Sequence, residues 1–268
     1  TTEIYTLSLH DALPILRWST YLGGTGTESL THFGSRGSIN HHIQPLPPQQ
    51  SLLGVGHGGV YLLCPTESMD FPITTNAYQS TRPYSDWYYT STALARFESD
   101  GRLATSTWLG NPTWYGGVSL ATDDSSNVFV WGITSGEQSF VPAGALEDTL
   151  RVRSSFPDTV ITTSALIKFS PTLDRVLGGT YLFPQPDTSA GLSGGYMHGA
   201  MMKVAPDGGV AFAITLNPRV RPPAIHSWQE PTSSYDLLLC KLDRDLTHYK
   251  FTTWIGCHLA YIFDLAID

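Results

Sequence analysis

Aromatic side chains crowd three stretches of the chain: Pro83-Tyr84-Ser85-Asp86-Trp87-Tyr88-Tyr89, Trp114-Tyr115 and the isolated Trp228. A ring on a loop tip offers a flat apolar face with a polar edge. That chemistry stacks on sugars or seats in a protein pocket. Tyr84, Trp87, Tyr88, Trp114, Tyr115 and Trp228 are therefore the candidate ligand-binding residues. The competing use of the same rings is to pack their loops onto neighbouring strands. Four acids, Glu28, Glu67, Asp86 and Glu230, fall in or beside long connections. They are the candidates for a carboxylate pair that cleaves glycosidic bonds, since such pairs meet in space rather than in sequence.

Other motifs read as architecture. Gly54-Val55-Gly56-His57-Gly58-Gly59 fits the spacing of a dinucleotide loop but leads into the strand-like run Val60-Tyr61-Leu62-Leu63. A dinucleotide site needs a strand before it and a helix after it, so this run is read as a glycine-rich hairpin turn. Asp123-Asp124-Ser125-Ser126-Asn127 and Asp207 lack the alternating ligands and terminal Glu of a calcium loop, and turn formation accounts for them. His32, His41, His42, His57, His198 and His226 are scattered and are read as solvated loop residues. Cys64, Cys240 and Cys257 fit no paired spacing and are read as buried or half-buried thiols. Gly34-Ser35-Arg36-Gly37-Ser38 has the wrong order for a nucleophile elbow. No catalytic residue, metal ligand or cofactor site is assigned.

Composition narrows the partners. The net charge is −8 and only four lysines occur, Lys168, Lys203, Lys241 and Lys250, so a phosphate-tracking surface is disfavoured. No apolar run approaches the ~20 residues of a membrane helix. Charged residues are 14% of the chain, against about 25% in an average soluble domain. With 25 Gly and 18 Pro, the chain is a poor source of long helices and suits short strands joined by turns.

Residues 1–15, TTEIYTLSLHDALPI, resemble one translated frame of a common sequencing-library adapter over their whole length. They are expected to be an artefact and are set aside, which removes His10 and Asp11 from consideration. On that expectation the chain is a gene fragment, and the lack of an export signal is uninformative.

Residues 16–268 are organised by a repeat. Thr20-Tyr21-Leu22-Gly23 returns as Thr107-Trp108-Leu109-Gly110, Thr180-Tyr181-Leu182 and Thr253-Trp254-Ile255-Gly256. Thr92-Ala93-Leu94-Ala95-Arg96-Phe97 returns as Ser164-Ala165-Leu166-Ile167-Lys168-Phe169 and Leu237-Leu238-Leu239-Cys240-Lys241-Leu242. Asn127-Val128-Phe129-Val130 is matched by Gly59-Val60-Tyr61-Leu62 and Gly209-Val210-Ala211-Phe212. These runs are β-rich, and turn residues such as Ser99-Asp100-Gly101, Pro206-Asp207-Gly208 and Asp243-Arg244-Asp245 separate them. The unit is strand, tight turn, strand, long connection, strand, tight turn, strand. Four antiparallel strands per repeat make a β-propeller blade.

The expected fold is therefore all-β, a partial propeller of about three full blades with partial blades at both ends. The divisions are a remnant at 16–24, repeats at about 25–110, 111–183 and 184–257, and the start of another at 258–268. Arg96, Lys168 and Lys241 recur at one position and are read as structural charges reaching solvent or a neighbouring blade's acid.

Ser19-Thr20-Tyr21-Leu22-Gly23-Gly24, the Asn-Val-Phe-Val-Trp-Gly run at 127–132 and Asp70-Phe71-Pro72-Ile73-Thr74-Thr75-Asn76-Ala77 resemble the bacterial SBBP (seven-bladed β-propeller) repeat. The Phe-Pro segment weakens to Phe140-Val141-Pro142 in the second repeat and gives way to Arg221-Pro222-Pro223 in the third. The resemblance implies a secreted or cell-surface protein of stacked blades with no assigned chemistry.

Strand alternation places the long connections (67–91, 134–163, 216–234, and 23–50, 110–117, 183–199) at one end of the blades. Long loops of this kind usually carry function. The favoured function is a non-enzymatic scaffold that binds a protein or glycan through this end, without nucleic acid or a membrane span. The alternative is a propeller-fold hydrolase or lyase acting on glycans.

Overall fold

The computed structural model describes residues 18–26, 28, 52–56, 58–83, 91–110, 114–134, 141–148, 163–182, 198–216, 224–228 and 236–255. Among them the chain is all-β, with twelve strands and no helix. The first sheet is β1 (Leu53–Gly56), β2 (Gly59–Thr66), β3 (Ser91–Glu98) and β4 (Leu103–Leu109). The second is β5 (Trp114–Thr122), β6 (Val128–Thr134), β7 (Thr163–Phe169) and β8 (Val176–Leu182). The third is β9 (His198–Val204), β10 (Val210–Leu216), β11 (Asp236–Leu242) and β12 (Tyr249–Ile255). Every sheet runs antiparallel in chain order, with a tight turn, a long connection and a second tight turn.

Turn chemistry explains the hairpins. The Asp123 carboxylate accepts the N–H groups of Ser125 and Asn127, and Asp207 accepts that of Gly209. Asp100 accepts the N–H of Arg102, and Asp243 that of Thr247. Each carboxylate thus replaces the backbone acceptor that a turning chain leaves unmet. The turns after β7 and β11 hold Leu173 and Leu246 at φ 58 and 61, and both side chains are buried.

Residues that recur in the sequence take matching places in the three sheets. Trp108, Tyr181 and Trp254 each stand sixth in the fourth strand of their sheet. They lie opposite Ala93, Ala165 and Leu238, and all three rings are buried. The register of the last two strands slips at one place in every sheet, after Arg96, Lys168 and Lys241. The slip leaves Ala104, Leu177 and Lys250 as the extra residues of β4, β8 and β12, as in a β-bulge.

Neighbouring sheets share cores. Leu63, Leu94 and Leu109 of the first sheet pack with Val130, Ile167 and Phe169 of the second. Phe129, Trp131, Leu166 and Leu182 of the second pack with Phe212, Leu238 and Cys240 of the third. The first strands adjoin, β5 touching β1 on one side and β9 on the other. That approach requires glycine: a Cβ on Gly54 would strike the side chains of Leu120 and Thr122, and one on Gly56 would sit 2.8 Å from Ser126 Oγ. The glycine run therefore fits one sheet against the next, and Gly58, at φ +75, turns the hairpin.

A second contact ties sheet to sheet at the tight-turn end. The Tyr61 hydroxyl donates to the Pro171 carbonyl at 2.9 Å, and Lys168 Nζ donates to the Arg244 carbonyl at 2.9 Å. Tyr61 lies opposite Arg96, as Phe129 lies opposite Lys168, and Pro171 and Arg244 hold the same place in successive turns. One backbone carbonyl per turn thus receives a donor from the preceding sheet.

Three expectations need correcting. Trp114 and Tyr115 belong to strand β5 and not to a connection over 110–117; two register slips around Gly116 and Gly117 hide the strand's alternation in sequence. His198 opens strand β9, pairing with Thr215, and is no loop residue. The glycine run is mostly strand, Gly54 to Gly56 lying in β1 and Gly59 in β2, with Gly58 in the turn that joins them.

Candidate functional site

The long connections between second and third strands do more than span one end. Each returns along the open side of its sheet's fourth strand. The Thr74 N–H donates to the Ser106 carbonyl at 3.2 Å, the Ser106 N–H donates to the Thr74 hydroxyl oxygen at 3.0 Å, and the Trp108 N–H reaches the Gln79 carbonyl at 3.0 Å. In the second sheet the Tyr181 N–H donates to the Glu147 carbonyl, and in the third the Thr252 N–H donates to that of Ile225.

The threonine before each repeated aromatic explains why these residues recur together. Thr107 Oγ1 accepts the Gln79 N–H at 2.8 Å, Thr180 Oγ1 that of Glu147 at 3.1 Å, and Thr253 Oγ1 that of Trp228 at 3.0 Å. The hydroxyl fixes the connection while the ring anchors the strand.

This places one predicted ligand residue. Trp228 is pinned through its backbone to Thr253, yet its side chain is 83% exposed. The ring does not pack its loop onto the sheet. Its neighbour His226 has φ 48 and is exposed, so this loop histidine stands as expected. Tyr84, Trp87 and Tyr88 lie outside the described residues, as do the side chains of Trp114 and Tyr115. Tyr78, which sequence reasoning passed over, meets Phe169 edge-on at 5.7 Å and remains partly exposed. Burial pushes its hydroxyl pKa up. The adjacent Arg82 lies 5.8 Å over the Trp108 ring, and burial lowers its pKa.

Of the four acids, Glu28 and Glu67 are described, while Asp86 and Glu230 lie outside the described residues. Glu28 is engaged in a polar clasp. It accepts the Gly24 N–H at 3.0 Å, the Thr66 hydroxyl at 3.1 Å and the Ser68 hydroxyl. Asp70 accepts both the N–H and the hydroxyl of Thr25, in that order of effect, and its pKa falls below the ordinary aspartate value. Together these contacts fasten Gly24, Thr25 and Glu28 to the end of β2 and the residues just after it. Glu67 is half-buried beside the clasp.

The recurring cations pair with acids of their own sheet, where solvent or a neighbouring blade's acid was expected. Arg96 pairs with Glu98 at 3.0 Å, Lys168 with Asp123 at 3.6 Å and Lys241 with Asp207 at 2.7 Å. Lys168 also lies 4.9 Å from the Phe129 ring centroid. The turn acids are thus occupied by backbone donors and these cations. Among the described residues no three His, Cys, Asp or Glu side chains converge on one point.

Cys64 and Cys240 are free and buried, and Cys257 lies outside the described residues. Burial, aided by Glu28, pushes the Cys64 thiol up to about 11, and burial alone raises Cys240. Burial thus favours the protonated thiol at both positions, as in structural rather than reactive cysteines.

No family model matches the chain, and no curated protein matches it.

Proposed function

We propose that the chain contributes stacked blades to a β-propeller of the SBBP kind and serves outside the cell as a binding scaffold. The ligand, protein or glycan, is held by exposed aromatic rings on the connections between second and third strands. Adjoining first strands and cores shared between consecutive sheets support the propeller reading. The observation that carries the binding reading is Trp228: its backbone is fixed by Thr253 while its ring faces solvent. A ring held in place but left uncovered loses little freedom on stacking against a ligand.

The test is a glycan array and a protein-capture screen, run with the chain and with Trp228→Ala. Retention of at least one ligand is expected, with a tenfold or greater loss in the variant and an unchanged melting temperature. Equal capture by both forms would remove the binding role from Trp228. Turnover of a polysaccharide would replace the scaffold by the glycan-active enzyme.

A further inference from the structure

We propose that Met69 is a peroxide-sensitive modification site, and that Arg82 holds its sulfoxide so that oxidation tightens the connection between β2 and β3. Met69 stands just after β2, and its side chain is 53% exposed. An N–H of the Arg82 guanidinium points at the Met69 sulfur, 2.7 Å away. The same guanidinium lies over the buried Trp108 ring of β4. Met69 and Arg82 thus bring together the two ends of a stretch that runs along β4. Between them the stretch is fastened at Thr74 and Gln79.

Other sulfur atoms are less open. Met202 is 2% exposed and Met201 is half-buried. Cys64 and Cys240 are buried, and burial raises the pKa of both thiols. Met197 and Cys257 lie outside the described residues. Among the described residues, Met69 is therefore the sulfur that peroxide in solution reaches first.

Oxidation changes what Arg82 meets. A sulfur lone pair forms an S–O bond with one peroxide oxygen as the O–O bond breaks. The proton on the transferred oxygen passes to the departing hydroxide, which leaves as water. Sulfur gives up two electrons and peroxide takes them. A thioether is a weak acceptor, whereas the sulfoxide is polar and presents an oxygen. The guanidinium is always charged and carries five donors in a planar fork, so an N–H is at hand for that oxygen. In a core, a sulfoxide disrupts packing. At Met69 the side chain is in solvent with a cation beside it, so the sign is reversed and the link between the two ends becomes stronger. Methionine sulfoxide reductases return the thioether and release the link.

The experiment treats the whole chain with hydrogen peroxide, locates the added oxygen by peptide mass mapping and compares amide exchange before and after. Met69 should be oxidised about tenfold faster than Met202, as its exposure dictates. Exchange at the Gln79 and Trp108 amides, which bond across the connection, should slow about fivefold, the effect of one added hydrogen bond. Reductase should restore the first rates. Met69→Leu should abolish the response to peroxide. Met69→Gln, whose amide oxygen stands in for the sulfoxide, should exchange slowly without peroxide. Arg82→Leu should still be oxidised at Met69 but show no slowing. Oxidation of Met69 no faster than Met202, unchanged or faster exchange once Met69 is oxidised, or slowing that persists in Met69→Leu would each overturn the proposal.

Discussion

Two ion pairs show how far burial decides the worth of a charge. Lys168 and Asp123 have side chains 9% and 5% exposed, whereas Arg175 and Asp174 are 66% and 44% exposed. Removing one partner of a buried pair strands the other, at about 3–5 kcal/mol, while an exposed pair contributes below about 1 kcal/mol. Lys168→Met should therefore lower the urea midpoint markedly, and Arg175→Met should leave it nearly unchanged. Acid should act through a separate set. Hydrogen bonds from Ser170 and Thr172 lower the pKa of Asp174, and those from Lys241 and Gly209 lower that of Asp207. Burial pushes Asp243 up, but donors from Thr247 and His248 outweigh it and leave its pKa lowered. Because each folded pKa lies below the unfolded one, this stabilisation is full above about pH 4 and is lost as pH falls through the lowered values. Melting temperature should hold from neutrality to about pH 4 and then drop, more gently in Asp174→Asn than in the parent.

The strands depend on edges as much as on cores. A fourth strand with an open side would recruit other strands, and the returning connection occupies that side in every sheet. Replacing Thr107, Thr180 or Thr253 by valine removes the acceptor for one connection N–H. Each change should cost about 1 kcal/mol and speed exchange at Gln79, Glu147 or Trp228, read amide by amide. Gly54→Ala should be worse than its single methyl suggests, because the new atom meets Leu120 and Thr122 across the sheet boundary. A loss of about 1–3 kcal/mol in chemical denaturation is expected.

Most strands were legible because turn residues bracket short β-rich runs and because three runs recur in one order. The start of β5 was not, since the slips at Gly116 and Gly117 break its alternation. The left-handed leucines, Leu173 and Leu246, were equally silent; sequence announces that conformation through glycine or asparagine, and here burial of the side chain enforces it. Of the candidate site, Trp228 was found by composition and loop length. Its fastening to Thr253 was not, because a hydroxyl that accepts from a backbone N–H far along the chain leaves no local mark.

Across the whole molecule, stability is shared between neighbours. Leu166 lies in the core that joins the second and third sheets, and the first sheet contributes no residue to that core. Leu166→Ala should lose about 2–5 kcal/mol. Exchange should rise in β5–β12 before it rises in β2–β4, as expected where each unit leans only on its neighbours. The contact between sheets has an evolutionary corollary. Its acceptor is a main-chain oxygen, belonging to proline in one turn and to arginine in the next, so substitution within the turn leaves the acceptor in place and only the donor, Tyr61 or Lys168, has to be kept. Whole units could be duplicated, deleted or shuffled by recombination and still find a matching junction, which frees the length of such a gene to vary while its seams stay intact.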